Sequence, residues 1–120
     1  YVIFTGLQKN VVPFYQAMDF FLLPSFYEGL PGVAVEAQAS GLRGILSDAI
    51  TTEAAMTTLM EFRSVQEPAI VWADRIVACG HYERRNTLNE MQEAGFDVKN
   101  LAKRLQDFYL RVNKDHTQKF

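Results

Sequence analysis

Between Asp19 and Asp48 the chain sets two short, unbroken apolar runs, "DFFLLP" and "RGILSD", on either side of "PGVAVEAQAS". A continuous apolar run of this length offers no polar face to water, so as a strand it must be covered on both sides. Pro24 stops the first run, Pro31 opens the intervening segment as a helix, and Gly41 closes that helix at a C-cap position. Strand, helix and strand in this order form the repeating unit of a parallel sheet. The rest of the chain extends the pattern. "YVIFTG" reads as an earlier buried strand ended by Gly6, and Asn10 caps a helix over "VVPFYQAM" that tolerates Pro13 in its first turn. "ITTEAAM" reads as a short helix capped by Thr51 or Thr52, and "EFRSV" as a weak strand. Three helices follow, over "EPAIVWADRIVACGHY", "RRNTLNEMQEAG" and "DVKNLAKRLQDFYLRVN". The last carries Val98, Leu101, Leu105, Phe108 and Val112 on one face. With no internal repeat and no linker, the expectation is one α/β domain over residues 1–120, ending in a helical tail.

Composition narrows the function classes. A chain of 120 residues, 48% hydrophobic and 22% charged, is large enough for one hydrophobic core. Twelve basic residues face fourteen acidic ones, a formal charge of -2, which gives no electrostatic reason to expect nucleic acid as a partner. The single cysteine, Cys79, cannot form an internal disulfide and points to a reducing compartment. No apolar run reaches the roughly eighteen residues of a membrane span, and no signal peptide is visible. The chain opens on Tyr1 without an initiator methionine or leader, so it is expected to be a piece of a longer protein.

Candidate chemistry concentrates in "LPSFYEGLPGVAVEAQASGL", Leu23 to Leu42, where Glu28 and Glu36 stand eight residues apart. Ligands of an open α/β sheet bind beyond the carboxyl ends of its strands. The loop from Ser25 to Leu30 follows such an end, which puts Glu28 at the rim. The helix begins near Pro31, and its first N–H groups, on Gly32, Val33 and Ala34, point back to the same place. A helix start offers unpaired donors and partial positive charge, suited to phosphate or sugar oxygens. Gly29 and Gly32 let the backbone approach a ligand closely. Glu36 is the one charge in a helix of small and apolar residues, a costly position unless solvated or paired. One carboxylate suits the two hydroxyls of a ribose diol. A hexose at Glu28, phosphates over the helix start and ribose at Glu36 would then form one elongated ligand. The plain alternatives stay open: a glutamate in the first turns can serve only the helix dipole, and a glutamate before glycine can be merely solvated.

The same stretch closely resembles the E-x7-E region of retaining glycosyltransferases of family 4. "SDAITTE" and "GFDVKNLAKRLQDFYL" resemble its exopolysaccharide and capsular polysaccharide members. The resemblance covers essentially the whole chain. It implies a Rossmann-like, mostly parallel sheet flanked by helices: the C-terminal, nucleotide-sugar-binding half of a GT-B enzyme whose N-terminal acceptor domain is absent here. It also implies that Glu28 is catalytic, stabilising charge as the donor bond breaks, and that Glu36 binds the ribose. The donor-binding backbone between them falls on Gly29, Leu30, Pro31, Gly32 and Val33. Pro31 can donate no N–H, so this Leu-Pro loop offers fewer amides than glycine-rich variants. The implied enzyme moves a hexose from a nucleoside diphosphate to a glycan or lipid-linked acceptor, with retention. It works in the cytoplasm, with its acceptor able to bring it to the inner face of the membrane.

No metal or other cofactor is expected, since side chains and helix dipoles can take the leaving-group charge. No Asp-x-Asp signature or His/Cys cluster argues otherwise, and His81 and His116 are isolated. Thr51 or Thr52 either caps its helix or also reaches the diphosphate. The rivals are a nucleotide-sugar epimerase on the same two-domain plan and a non-enzymatic signalling domain. A phospho-receiver is disfavoured because "TGLQKN" replaces the acidic pair expected after the first strand, although Asp48 ends a strand. A glycosidase carboxylate pair is disfavoured only by the fold pattern.

Overall fold

The computed structural model describes residues 1–117, with side chains described through residue 113. His116 therefore falls outside the described side chains. The chain divides into two compact units, Tyr1–Thr87 and Leu88–Phe120. The first is built in the order α1 (Val12–Ala17), β1 (Phe21–Leu23), α2 (Gly32–Ala39), β2 (Gly44–Ser47), a 3₁₀ turn at Thr52–Ala54, β3 (Met60–Arg63) and α3 (Ala69–Ala78). Its three strands form a parallel sheet in the order β1-β2-β3. Phe21 pairs with Gly44, and Gly44 with Met60.

Because strand side chains alternate, each face of the sheet can be read from its partners. Phe21, Leu46 and Met60 join Tyr15, Ala34, Ala37, Leu42, Ile50 and Ala54 in the core under α1 and α2. Glu61 on β3 points to the other side, where its carboxylate takes two hydrogen bonds from the Arg75 guanidinium of α3. The Trp72 indole of α3 donates to the Ser64 carbonyl at 3.0 Å. The molecule is thus an α/β sheet covered on both sides, a Rossmann-like arrangement. Leu42, Ile45 and Leu46 are fully buried, each stabilising by about 1.5–3 kcal/mol relative to exposure.

Two glycines permit this packing. Gly44 sits where a Cβ would meet the Phe21 carbonyl at 2.7 Å and the Met60 sulfur at 3.0 Å. Gly41 ends α2 at φ +68°, and there the Leu42 N–H donates to the Ala37 carbonyl at 3.0 Å. A Cβ on Gly41 would lie 2.5 Å from the Arg85 carbonyl, because residues 84–87 run across the end of α2.

Several expectations are met and several corrected. Both strands around α2, the helix itself and its glycine stop are present. Asn10 accepts the Val12 N–H at 3.1 Å, but it is not the cap expected: the N-cap of α1 is Val11, which makes no side-chain cap. Thr51 caps the turn that follows β2, accepting the Glu53 N–H at 3.3 Å, but that turn is a single 3₁₀ turn. "YVIFTG" is not a strand. Residues 1–10 are exposed and outside the sheet, as expected of an apolar run that finds no ladder partner among the described residues. The helix expected from Arg84 begins only at Leu88, because tertiary hydrogen bonds take residues 84–87 elsewhere. The Arg84 guanidinium donates to the carbonyls of Tyr15 (2.7 Å), Met18 and Ser40 (3.3 Å). The Thr87 hydroxyl donates to the Gln38 carbonyl at 2.7 Å.

The second unit contains α4 (Leu88–Glu93) and α5 (Val98–Thr117). Gly95, at φ +87°, closes α4 as expected, with the Phe96 N–H returning to the Met91 carbonyl at 2.8 Å. Asp97 then starts α5, its carboxylate accepting the Lys99 N–H at 2.9 Å. On α5, Leu101, Leu105 and Phe108 are about half exposed. Among the described residues, no helix is long and apolar enough to cross a membrane.

Candidate functional site

The rim of the sheet beyond β1 is formed by the loop 24–31 and the start of α2. Pro31 is the N-cap, with extended backbone (φ -73°, ψ 110°), and supplies no side-chain cap. Its carbonyl accepts the N–H groups of Ala34 (3.0 Å) and Val35 (3.3 Å). This corrects the expected donor set: Ala34 is engaged within the helix. Among the described residues, the amides of Gly32 and Val33 donate to no other group, and both residues are exposed. A Cβ at Gly29 or Gly32 would meet no atom within 4 Å, so the backbone there borders open space. Leu30 is also exposed, whereas Pro31 is buried and anchors the helix start.

The two glutamates are each held by a hydroxyl, but by different ones. Glu28, half-buried, accepts a 2.9 Å hydrogen bond from the Ser25 hydroxyl within its own loop. Glu36, exposed, accepts one of 2.9 Å from the Tyr15 hydroxyl of α1. The carboxylates share no partner. Burial, reinforced by the hydrogen bond to Glu36 and its negative charge, pushes the Tyr15 hydroxyl up to about 12. It therefore remains a donor throughout the neutral range. Each glutamate keeps one carboxylate oxygen without a protein partner among the described residues.

Sequence reasoning missed the group that fixes α2 in place. Gln38 is fully buried. Its amide nitrogen donates to the carbonyls of Ala34 (2.9 Å) and Ala54 (2.8 Å). Its amide oxygen accepts the N–H groups of Met56 and Thr57, both at 2.9 Å, and the Thr57 hydroxyl at 3.1 Å. One side chain thus ties the helix bearing Glu36 to the segment between β2 and β3. In sequence a helical glutamine looks like a surface residue; only its setting among Ala34, Ala37 and Ala39 hints at burial. Tyr15 was missed as the partner of Glu36 for a similar reason, since an aromatic residue in a helix reads as core. Its hydroxyl was the available signal, because a buried tyrosine needs a hydrogen-bond acceptor.

Elsewhere, an apolar cleft of about 380 Å³ opens between β1 and α3, lined by residues including Leu22, Phe26, Trp72 and Ile76. It contains neither Glu28 nor Glu36. His81 is exposed. Among the described residues, no group of three or more His, Cys, Asp or Glu side chains could hold a metal ion.

Comparison with known proteins then identifies the family. The model of the family described as "Glycosyl transferases group 1" matches residues 1–69, more than half of the chain. The chain is 37% identical over 122 residues to a Bacillus subtilis (strain 168) protein named "Putative glycosyltransferase EpsF". The match covers 98% of this chain and 32% of that relative, so the chain spans about a third of the relative's length. No solved structure matches it. The match of that family's sequence model over more than half of the chain, together with its parallel α/β sheet, places the chain among the group 1 glycosyl transferases.

Proposed function

We propose that the chain is the donor-binding domain of a retaining hexosyltransferase in polysaccharide biosynthesis, and that another part of the same polypeptide binds the acceptor. The observation that carries this reading is the start of α2. Two free amides and open backbone at Gly29 and Gly32 lie between two glutamates, each oriented by a hydroxyl and each with an oxygen to spare. A nucleoside-diphosphate sugar has matching parts in matching order. Its diphosphate meets the amides of Gly32 and Val33 and the positive end of α2. Its ribose diol donates to Glu36, and its hexose lies at Glu28. Gly29, Leu30 and Pro31 form the wall of the site rather than its donors.

As the bond from the sugar to the diphosphate breaks, positive charge develops on the hexose and negative charge on the leaving phosphate. The Glu28 carboxylate stabilises the former, and the helix start the latter, without a metal or other cofactor. The relative's being about three times as long agrees with a second domain for the acceptor. A glycan or lipid-linked acceptor would draw the enzyme to the inner face of the cell membrane.

Calorimetric titration with UDP and GDP tests the site. We expect Glu36→Ala to weaken nucleotide binding about tenfold, the scale of one good charge-assisted hydrogen bond. Unchanged affinity would remove Glu36 from the site. In the full-length enzyme Glu28→Gln should lower kcat far more than it raises KM for the donor. A loss confined to KM would make Glu28 a ground-state ligand.

A further inference from the structure

We propose that Tyr15 is a positioning residue for Glu36, and that it sets how strongly the site prefers a ribonucleotide over its 2′-deoxy counterpart. The inference rests on the reading of Glu36 as the ribose ligand.

A glutamate on an exposed helix face normally samples several rotamers, and a ligand that needs one of them must bear the ordering cost. Glu36 is exposed, yet its Oε2 is held at 2.9 Å by the Tyr15 hydroxyl. Tyr15 is itself immobilised at three levels. Its side chain belongs to the core and is only 6% exposed. Its ring lies against Phe21 with centroids 6.3 Å apart. Its carbonyl accepts the Arg84 guanidinium at 2.7 Å.

The hydroxyl is therefore a fixed point to which a mobile carboxylate is tied. Because the bond uses Oε2, Oε1 is presented in a defined direction and stays free for a sugar hydroxyl. α1 thereby contributes to a site whose other parts lie on the rim loop and α2. Burial, the hydrogen bond to Glu36 and its negative charge keep the hydroxyl a donor across the neutral range. A purely structural role for Tyr15 makes a different prediction. Loss of the hydroxyl would then loosen the packing of α1 on α2 and weaken every nucleotide alike.

The test is calorimetry on the full chain with UDP, GDP and their 2′-deoxy forms, for wild type, Tyr15→Phe and Glu36→Ala. Tyr15→Phe keeps the ring and so keeps its packing against Phe21; a thermal melt verifies that the variant is folded. The wild type should prefer the ribo form, and Glu36→Ala, which removes both acceptor oxygens, should abolish the preference. Tyr15→Phe should reduce it about three- to tenfold, weakening the deoxy form, which keeps one hydroxyl of the diol, less than the ribo form. If Glu36→Ala abolishes the preference and Tyr15→Phe retains it in full, the inference about Tyr15 is overturned while the site reading stands. Equal weakening of both nucleotide forms by Tyr15→Phe overturns it in the same way. If Glu36→Ala itself retains the preference, or the wild type shows none, the assignment of Glu36 to the ribose fails, and the inference with it.

Discussion

The two faces of the sheet are built on different terms. Under α2 the contacts are short and polar as well as apolar. Ala34 and Ala37 bring the helix close, Gly44 leaves no room for a Cβ, and Gln38 satisfies five protein partners from a fully buried position. Under α3 the contacts are wider. An apolar cleft separates Leu22 and Phe26 from Trp72 and Ile76, and the main polar link, Arg75 to Glu61, is between side chains each 35% exposed. The helix that carries Glu36 is tied down by a buried polar network, whereas the helix that carries no candidate site residue borders an apolar cleft and is linked mainly by partly exposed groups.

That contrast can be broken most severely at Gln38. Replacing it with leucine leaves the Met56 and Thr57 N–H groups and the Ala54 carbonyl without their partner. The expected loss is about 3–5 kcal/mol, read by urea unfolding. A loss below about 1 kcal/mol would mean that the α2 face is not locked by this residue. Gly44→Ala should come next, costing about 1–3 kcal/mol, because the new Cβ would lie 2.7 Å from the Phe21 backbone carbonyl and must push it back. A neutral result would show that β1 and β2 can part under α2 at little cost.

The smallest effect is expected across the other face. Glu61→Gln should change stability at neutral pH by under about 1 kcal/mol, as for an exposed ion pair. Its signature lies in the pH profile. Hydrogen bonding from Arg75 holds the Glu61 carboxyl below its usual range, with the Arg75, Arg63 and Arg43 charges helping. A lowered folded-state value means that the pair's contribution is full above the ordinary glutamate range and is lost as pH falls through the lowered value. The variant should therefore lack that part of the wild type's acid destabilisation. Identical acid limbs for the two proteins would show that Arg75 does not perturb Glu61.

The legible part of this molecule is the part whose shape is determined locally. Pro24, Pro31 and Gly41 punctuate the stretch from β1 to β2, and the apolar runs between them need burial on both sides whatever lies around them. The carboxylates at Glu28 and Glu36 could be selected from that same stretch. What could not be read depended on distant partners. "YVIFTG" has the composition of a strand, but strand formation requires a neighbour, and none among the described residues pairs with it. "RRNTLNEMQEAG" has a helical pattern, yet Arg84 and Thr87 find carbonyls from α1 and α2 that no local rule reveals. Tyr15 and Gln38 were hidden in the same way, each joining segments roughly twenty residues apart.

The path of residues 84–87 over the ends of α1 and α2 bears on the order in which the first unit is completed. Its three strands pair in the order in which they occur, so the sheet can grow by short-range steps, but Arg84 closes contacts spanning 66 and 69 residues. During synthesis those residues emerge after every strand and helix of the unit. The carbonyls at the tails of both early helices must wait for them, exposed to water in the nascent chain. The seal on this unit is its last-made piece.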